Sequence, residues 1–214
     1  MEKRGVPIDF FSWHIYTTAP SELEEKANRI KSLLIKHGYG DAESILNEWN
    51  YVRGWSDEFV YSIKAIHGIK GASFIMACMS VSQRAPIDML MYYDTRPSVF
   101  NGAFDYYTCE PLKGYYAFKW YGKLYDMKYE IRANNSIKDV YSLCGADADN
   151  KLTAIVTYYT DDDEAEEKCV RVDLGKAGKY NIYCVDEEHN GELTATTDDI
   201  VLKMKPNSFF LICE

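Results

Sequence analysis

Apolar residues in the first part of the chain alternate between strand-like runs and helix-like spacing. A strand is predicted for residues 9–16, which are rich in aromatic and β-branched side chains and are followed by a threonine and proline turn. A second, short strand is predicted at Ile45 and Leu46, within the stretch 44–50, and it delivers Glu48 at its carboxyl end. Between them a helix is expected, because apolar residues recur at helical spacing until two glycines end the pattern: Leu23, Ala27, Ile30 and Leu34.

A second helix and a third strand are predicted after residue 50. Residues 56–67 carry the helix pattern, and Ala72 to Ala77 form a continuous apolar run of the kind seen in strands buried on both faces. The order strand, helix, strand, helix, strand repeats the right-handed βαβ unit, so we expect three parallel strands. Residues 79–110 have the turn-rich composition of a long loop, and a helix is predicted for residues 111–121.

Near residue 127 the sequence pattern changes: from there on it predicts short, regularly spaced strands separated by turn signals. Such spacing is typical of an antiparallel β-sandwich, and we place its boundaries at 127–214. The acidic run from Asp161 to Glu167 lacks the glycine and alternation of a calcium loop, so we interpret it as a solvated hairpin tip. Six strands are predicted: 139–144, 152–159, 168–174, 179–185, 200–204 and 209–213.

Composition narrows the class of protein. The chain has 214 residues, of which 47% are hydrophobic and 27% charged, enough for one large domain or two small ones. A formal net charge of -9 argues against nucleic acid and against an anionic membrane surface as partners. No apolar run reaches the length of a membrane span, and Met1 to Gly5 lead into no apolar signal core, so a cytoplasmic location is expected.

Cysteine and histidine spacing predicts no metal site and no cofactor. The six cysteines are far apart and include no Cys-x-x-Cys pair, which favours buried, reduced thiols over a disulfide framework or a zinc site. The four histidines also lack the spacing of metal ligands.

The strongest candidate for chemistry is Glu48, which follows the apolar pair Ile45 and Leu46. In an α/β barrel the carboxyl ends of the strands form the active face, so a carboxylate delivered there is a candidate catalytic group. Asn47 is placed to orient this carboxylate by hydrogen bonding. Trp49 is placed to pack against a sugar ring or to raise the pKa of the carboxyl group by desolvation. The alternative interpretation is a polar strand end that points into water.

Four segments follow one another in a characteristic order: 11–16 (FSWHIY), 45–50 (ILNEWN), 100–104 (FNGAF) and 111–118 (PLKGYYAF). His14 and Tyr16, two residues apart on the first strand, share one face. This order of motifs resembles the carboxyl-terminal part of glycoside hydrolase family 39, the β-xylosidase type of clan A.

The resemblance implies a retaining glycosidase that uses two glutamates on a (β/α)8 TIM barrel. Glu48 then takes the position of the nucleophile after the seventh strand, with His14 and Tyr16 on the sixth strand contacting the nucleophile and the sugar. Ala72 to Ala77 takes the place of the eighth strand. The implied substrate is a xyloside-like carbohydrate, and the further substrate-binding residues expected around these positions are Trp13, Asn47, Trp49 and Asn50.

The sequence departs from the family pattern in two respects. Asn47 stands where serine or threonine is common, and residues 1–126 hold three strand signals although a full barrel takes roughly 200 residues or more. The acid/base glutamate is missing, and no aspartate is placed to replace it. Asp9 starts a strand and so lies at the wrong end, and three others lie on the loop after the predicted eighth strand: Asp88, Asp94 and Asp105.

The expected fold is therefore α/β plus all-β: a partial TIM barrel of about strands 6–8 over residues 1–126, followed by the sandwich. Such a chain is expected to be inactive or nearly so by itself. Open sheet edges favour a homo-oligomer or pairing with an amino-terminal barrel half.

A second hypothesis is a non-catalytic module derived from a glycosidase. It binds carbohydrate or another protein through exposed aromatic residues rather than through Glu48. The candidates are Trp13, Trp49, Trp55 and the tyrosine pairs at 92–93 and 106–107.

Overall fold

A computed structural model describes residues 5–214 as a mixed α/β structure with several sheets. Residues 1–4 lie outside this range, and with them most of the segment used above for the expectation about a signal core. The first half contains β1 (Phe10–Thr17), α1 (Pro20–Lys36), β2 (Glu43–Tyr51), α2 (Phe59–His67), α3 (Ile69–Ser82), β3 (Met89–Leu90) and α4 (Lys113–Tyr125). The second half contains β4 (Tyr129–Ile131), β5 (Val140–Ala146), β6 (Leu152–Tyr158), β7 (Lys168–Val172), β8 (Tyr180–Val185), β9 (Asn190–Thr197), β10 (Ile200–Met204) and β11 (Ser208–Cys213).

The first three strands form a parallel sheet in the order β1-β2-β3. Three parallel strands were expected. Strand β1 lies where the sequence predicts it, whereas β2 begins before the predicted Ile45 and continues past Glu48 to Tyr51. The central strand β2 pairs with both neighbours, so β1 and β3 are the edges of this sheet. The helix α1 connects β1 to β2 and buries the predicted apolar face, including Leu23, Ala27, Ile30 and Leu34.

The prediction of a third strand at Ala72 to Ala77 is wrong. These residues lie inside α3, and the third strand is instead the short β3, within the segment expected to be a loop. A short continuous apolar run cannot be assigned to strand or helix from periodicity alone. Helix α3 is apolar all round because it packs between the parallel sheet and the antiparallel sheet, and ten of its fourteen residues are buried.

The second half of the chain forms two antiparallel sheets. A six-stranded sheet has the order β4-β5-β6-β11-β8-β9, and a two-stranded sheet pairs β10 with β7. All six predicted strands are present. Two more strands, β4 and β9, were not predicted, and β9 begins at Asn190. Strand β9 is largely exposed at the sheet edge and lacks the apolar alternation that identifies strands in sequence.

Two apolar clusters cover the two faces of the six-stranded sheet. On one face Ile155, Phe209 and Leu211 pack with the helices, and the ring of Phe209 lies 5.2 Å from that of Trp120 on α4. On the other face Val156 and other residues of the sheet pack against the strands β7 and β10. The central strands β6 and β11 are therefore buried on both faces.

The acidic run is not simply a solvated hairpin tip. Asp161 lies 3.0 Å from the guanidinium of Arg53, and Asp163 forms ion pairs with both Arg53 and Lys70. These partners lie about the end of β2 and the start of α3, roughly a hundred residues away in sequence, so only the tertiary fold brings the charges together. The remainder of the run is mostly exposed.

Within residues 5–214 no single helix is long and apolar enough to cross a bilayer; α2 and α3 meet that criterion only as a pair bent by 78°.

Candidate functional site

The parallel pairing of β1 and β2 brings three of the expected site residues together. A bulge makes Trp13 pair with Leu46 and His14 with Glu48, so that Asn47 is the extra residue on β2. The buried side chains of β1 alternate with His14 and Tyr16, which lie on the opposite face. The open face of the parallel sheet therefore carries His14, Tyr16 and Glu48.

Both β1 residues contact the same carboxylate oxygen. The hydroxyl of Tyr16 donates a hydrogen bond to Oε2 of Glu48 over 2.9 Å, and Nδ1 of His14 lies 3.3 Å from that oxygen. The side chain of Glu48 is 32% exposed, which leaves the carboxylate accessible. Burial and the neighbouring Glu48 both raise the pKa of Tyr16 above its usual value, so the phenol remains a proton donor to the carboxylate at neutral pH.

Glu48 is the sixth residue of β2, which continues to Tyr51, rather than the last residue of a shorter strand. The three residues beyond it connect the site to the core and to a neighbouring loop.

An aromatic cluster lies beside the carboxylate. We define it as Tyr16, Trp55, Phe59, Tyr93 and Phe100. The Tyr16 ring is its centre, with centroid distances of 5.1 Å to Trp55, 6.1 Å to Phe100 and 6.4 Å to Tyr93.

The loop that supplies Tyr93 and Phe100 is held by Asn50. The side-chain amide of Asn50 donates to the carbonyl of Tyr93 at 2.6 Å and to that of Phe100 at 3.0 Å, and its oxygen accepts from the backbone N–H of Tyr51. Asn50 was expected to bind substrate. It is 1% exposed with its amide committed to the backbone, so it positions the loop instead.

Two further sugar contacts expected from the sequence are also corrected. Trp13 is 6% exposed and donates its indole N–H to Ser44, while Trp49 is 1% exposed and packs against Phe74 and Tyr92. Both rings lie in the core because their strand positions face the helices, and neither presents an accessible surface on which a ligand could pack. Asn47 is partly buried, and its Oδ1 has no hydrogen-bond partner among residues 5–214.

Sequence reasoning did not select Phe59 and Phe100 as site residues. Phe100 belongs to the quoted 100–104 segment, and Phe59 opens α2, but neither position carries a chemical signal. Their place beside Tyr16 is set by the tertiary fold, through α2 for Phe59 and a loop for Phe100.

Three of the four aspartates named above as possible second acids are engaged in local structure. Asp94 accepts from Arg96 and Ser98, and Asp88 accepts the backbone N–H of Ser44. Asp105 accepts backbone N–H groups within its own turn, which lower its pKa.

One group of metal-ligating side chains occurs in the described chain, remote in sequence from Glu48. Cys184, Asp186 and His189 meet at the turn between β8 and β9. Asp186 accepts from the His189 ring at 2.8 Å and from the backbone N–H groups of Glu188 and His189. Burial raises the pKa of the Cys184 thiol to about 12, so the thiol is protonated at neutral pH. These hydrogen bonds are those of a structured turn.

Comparison with solved structures identifies the class of fold. A glucosidase from Croceicoccus marinus superposes with a TM-score of 0.75 at 17% identity, over 99% of this chain and 54% of that one. A family 39 β-xylosidase from Caulobacter crescentus gives 0.67 at 14% identity, over 99% and 52%. An α-L-arabinofuranosidase from Thermotoga maritima gives 0.63 at 17% identity, over 97% and 52%.

The chain thus shares the fold of part of each of these glycosidases and spans about half the length of these structures. Identities this low establish the fold alone. No family model matches the sequence, and no curated protein matches it.

Proposed function

We propose that this chain is the carboxyl-terminal portion of a retaining β-glycosidase of the family 39 type, acting on β-xylosides or related sugars. Glu48 is the nucleophile. The observation that carries the proposal is the contact of one Glu48 oxygen with both Tyr16 and His14 on the open face of a parallel sheet. The glycosidase structures that share this fold support it.

In the proposed reaction a carboxylate oxygen of Glu48 attacks the anomeric carbon. A glycosyl ester bond forms, the glycosidic bond breaks, and the leaving oxygen takes a proton from a separate acid. Water then hydrolyses the ester, with that second group acting as base. Tyr16 donates to Oε2 and holds the carboxylate in position, and His14 adds a second polar contact to the same atom.

The second carboxyl group comes from outside the described residues in this proposal. Retaining chemistry requires it about 5 Å from the nucleophile. We assign residues 1–126 to the partial barrel and 127–214 to the sandwich, and we assign the acid to an amino-terminal barrel half. That half is either an earlier part of the same longer protein or a separate chain.

The edge strand β1 is the place where the missing part of the barrel docks. Phe10 is 56% exposed and Phe11 is 42% exposed, and strand pairing at this edge would cover backbone groups as well as apolar surface. In the absence of that half, the same edge favours self-association. Size-exclusion chromatography of residues 1–214 is expected to show a species larger than a monomer, and a clean monomer contradicts this part of the proposal.

The nucleophile is tested by covalent labelling. A 2-deoxy-2-fluoro xyloside with a dinitrophenolate leaving group needs no proton donor, and the fluorine slows hydrolysis of the ester. Incubation with the chain plus an amino-terminal half is expected to add one fluoroxylosyl group to the peptide that contains Glu48. Glu48→Gln is expected to abolish this label and hydrolysis of nitrophenyl xyloside; labelling of another residue refutes the assignment.

A non-catalytic carbohydrate-binding module is the alternative. It is favoured by Trp55, which is 62% exposed, and by the local engagement of Asp88, Asp94 and Asp105. Sugar binding without labelling of Glu48, in the presence of the amino-terminal half, would select this function.

A further inference from the structure

Trp55 differs from the other three tryptophans in its exposure. It is 62% exposed, whereas Trp13, Trp49 and Trp120 are 6%, 1% and 3% exposed. Of the tryptophans expected to bind sugar under the second hypothesis, only Trp55 therefore presents its ring to solvent.

The exposed indole is fixed in place by its neighbours. The ring of Phe59 lies nearly parallel to it, with 21° between planes at 6.1 Å, and Tyr16 meets it edge-to-face at 5.1 Å. Phe100 contacts it from a third direction at 6.3 Å. A ring ordered in this way loses little conformational entropy when a ligand packs on it.

Tyr16 links this indole to the candidate nucleophile. Its ring packs on Trp55 while its hydroxyl binds Glu48. A ligand that packs on the Trp55 ring is therefore separated from the Glu48 carboxylate by the Tyr16 side chain alone. Tyr93, the half-buried ring of the cluster, is less available, because the guanidinium of Arg96 lies over it at 5.5 Å.

The chemistry of an indole face selects among sugars. The ring face carries partial negative charge, which attracts C–H groups with partial positive charge. A pyranose with all hydroxyls equatorial presents three axial C–H bonds on one flat face, those at C1, C3 and C5 in a β-xyloside. A furanose ring is smaller and puckered and has no such face.

We propose that Trp55 is the stacking platform of a pyranose subsite next to Glu48, and that it favours xylo- or gluco-configured pyranosides over arabinofuranosides. The inference deepens the proposed function by naming the residue that binds the ring. It rests on that function for the sugar class, but its test does not require catalysis.

The test is saturation-transfer difference NMR on the 214-residue chain, which detects weak binding through the sugar protons. Methyl β-D-xylopyranoside is expected to receive its strongest transfer at H1, H3 and the axial H5. Methyl α-L-arabinofuranoside is expected to give a weaker and uniform signal. Trp55→Ala is expected to weaken xyloside binding by about three- to tenfold, the range for loss of one aromatic contact.

Two variants control for structure. Trp55→Phe keeps an aromatic ring and is expected to retain part of the axial-proton pattern. Tyr125→Ala removes a ring that is 84% exposed and lies outside the aromatic cluster, and it is expected to bind like the unmodified chain. Acrylamide is expected to quench part of the tryptophan emission of the unmodified chain. Loss of that quenchable part in Trp55→Phe confirms that the exposed indole is Trp55.

The outcomes separate this inference from the assignment of Glu48. Any of three results overturns the proposal that Trp55 is the stacking platform. These are full xyloside binding by Trp55→Ala, saturation transfer to the furanoside equal to that to the xyloside, and no transfer from the unmodified chain to the xyloside. Loss of binding in Trp55→Ala together with failure to label Glu48 leaves the platform standing and refutes only the nucleophile.

Discussion

The hydroxyl of Tyr16 and Oε2 of Glu48 are joined by a 2.9 Å hydrogen bond between adjacent parallel strands. Thirty-two residues separate the two side chains in sequence, and the bulge at Asn47 sets their register. The phenol stays protonated because burial and the carboxylate both raise its pKa. The bond therefore orients a carboxylate that remains partly open to solvent.

Removing this hydroxyl is expected to impair catalysis in the completed enzyme. Hydrogen bonds to a charged group contribute about 1.5–3 kcal/mol, so Tyr16→Phe should lower kcat/KM for nitrophenyl xyloside about 10- to 100-fold. Tyr121→Phe is the matched control, since that hydroxyl binds Gln83 at 2.7 Å. Equal kcat/KM values for the two variants would contradict a role for Tyr16 in positioning Glu48.

The two tryptophans that flank the site are expected to differ sharply in their effect on stability. Trp49→Ala removes a fully buried ring and should lower the free energy of unfolding by about 3–5 kcal/mol. Trp55→Ala removes a mostly exposed ring and should cost about 1 kcal/mol or less. Urea unfolding followed by circular dichroism measures both, and equal losses would show that the placement of these rings is wrong.

The start of α4 is expected to tolerate no side chain at Gly114. A Cβ added there would lie 2.2 Å from the carbonyl oxygen of Gly102. This oxygen belongs to the backbone, so it cannot move aside as a flexible side chain could. Gly114→Ala should therefore lower the free energy of unfolding by about 1–3 kcal/mol through overpacking.

Gly122→Ala on the same helix is the control for that substitution. Nothing lies within 4 Å of the Cβ it would add, so it should raise stability by about 0.5–1 kcal/mol through helix propensity. Chemical denaturation of both variants gives the comparison, and the same sign of change in both would contradict the close approach at Gly114.

The ion pairs of Asp163 predict a specific pH dependence. Lys70, Tyr61 and Arg53 lower the pKa of this carboxyl to about 2 from its ordinary 3.8. Because the folded state binds the proton less tightly, the stabilisation is complete above the unfolded pKa and disappears as pH falls from about 4 towards 2. The side chain is 48% exposed, so screening limits the effect to about 1 kcal/mol or less.

Asp163→Asn should therefore be less stable than the unmodified chain at pH 7, with the difference shrinking below pH 4. Urea unfolding at a series of pH values measures this difference. Glu164→Gln, an exposed change in the same acidic run, should show no comparable trend. A difference for Asp163→Asn that persists unchanged to pH 2.5 would exclude the ion pairs as its cause.

The sequence by itself determined the local elements with clear periodicity. The alternation in β1 placed His14 and Tyr16 on one face, and the apolar spacing of α1 identified its buried side. The six predicted antiparallel strands are present: β7, β8 and β10 largely alternate in burial, and β6 and β11, which are buried on both faces, are recognised by apolar and β-branched residues between turn signals.

Tertiary structure decided what periodicity leaves ambiguous. The run from Ala72 to Ala77 is equally apolar as strand or helix, and in the fold it lies within α3, which packs against both sheets. Asp161 pairs with Arg53, and Asp163 pairs with Lys70. Local sequence does not encode these partners, because they are distant along the chain. Trp49 and Trp55 are the same residue type six positions apart, and only the fold buries one and leaves the other open beside Glu48.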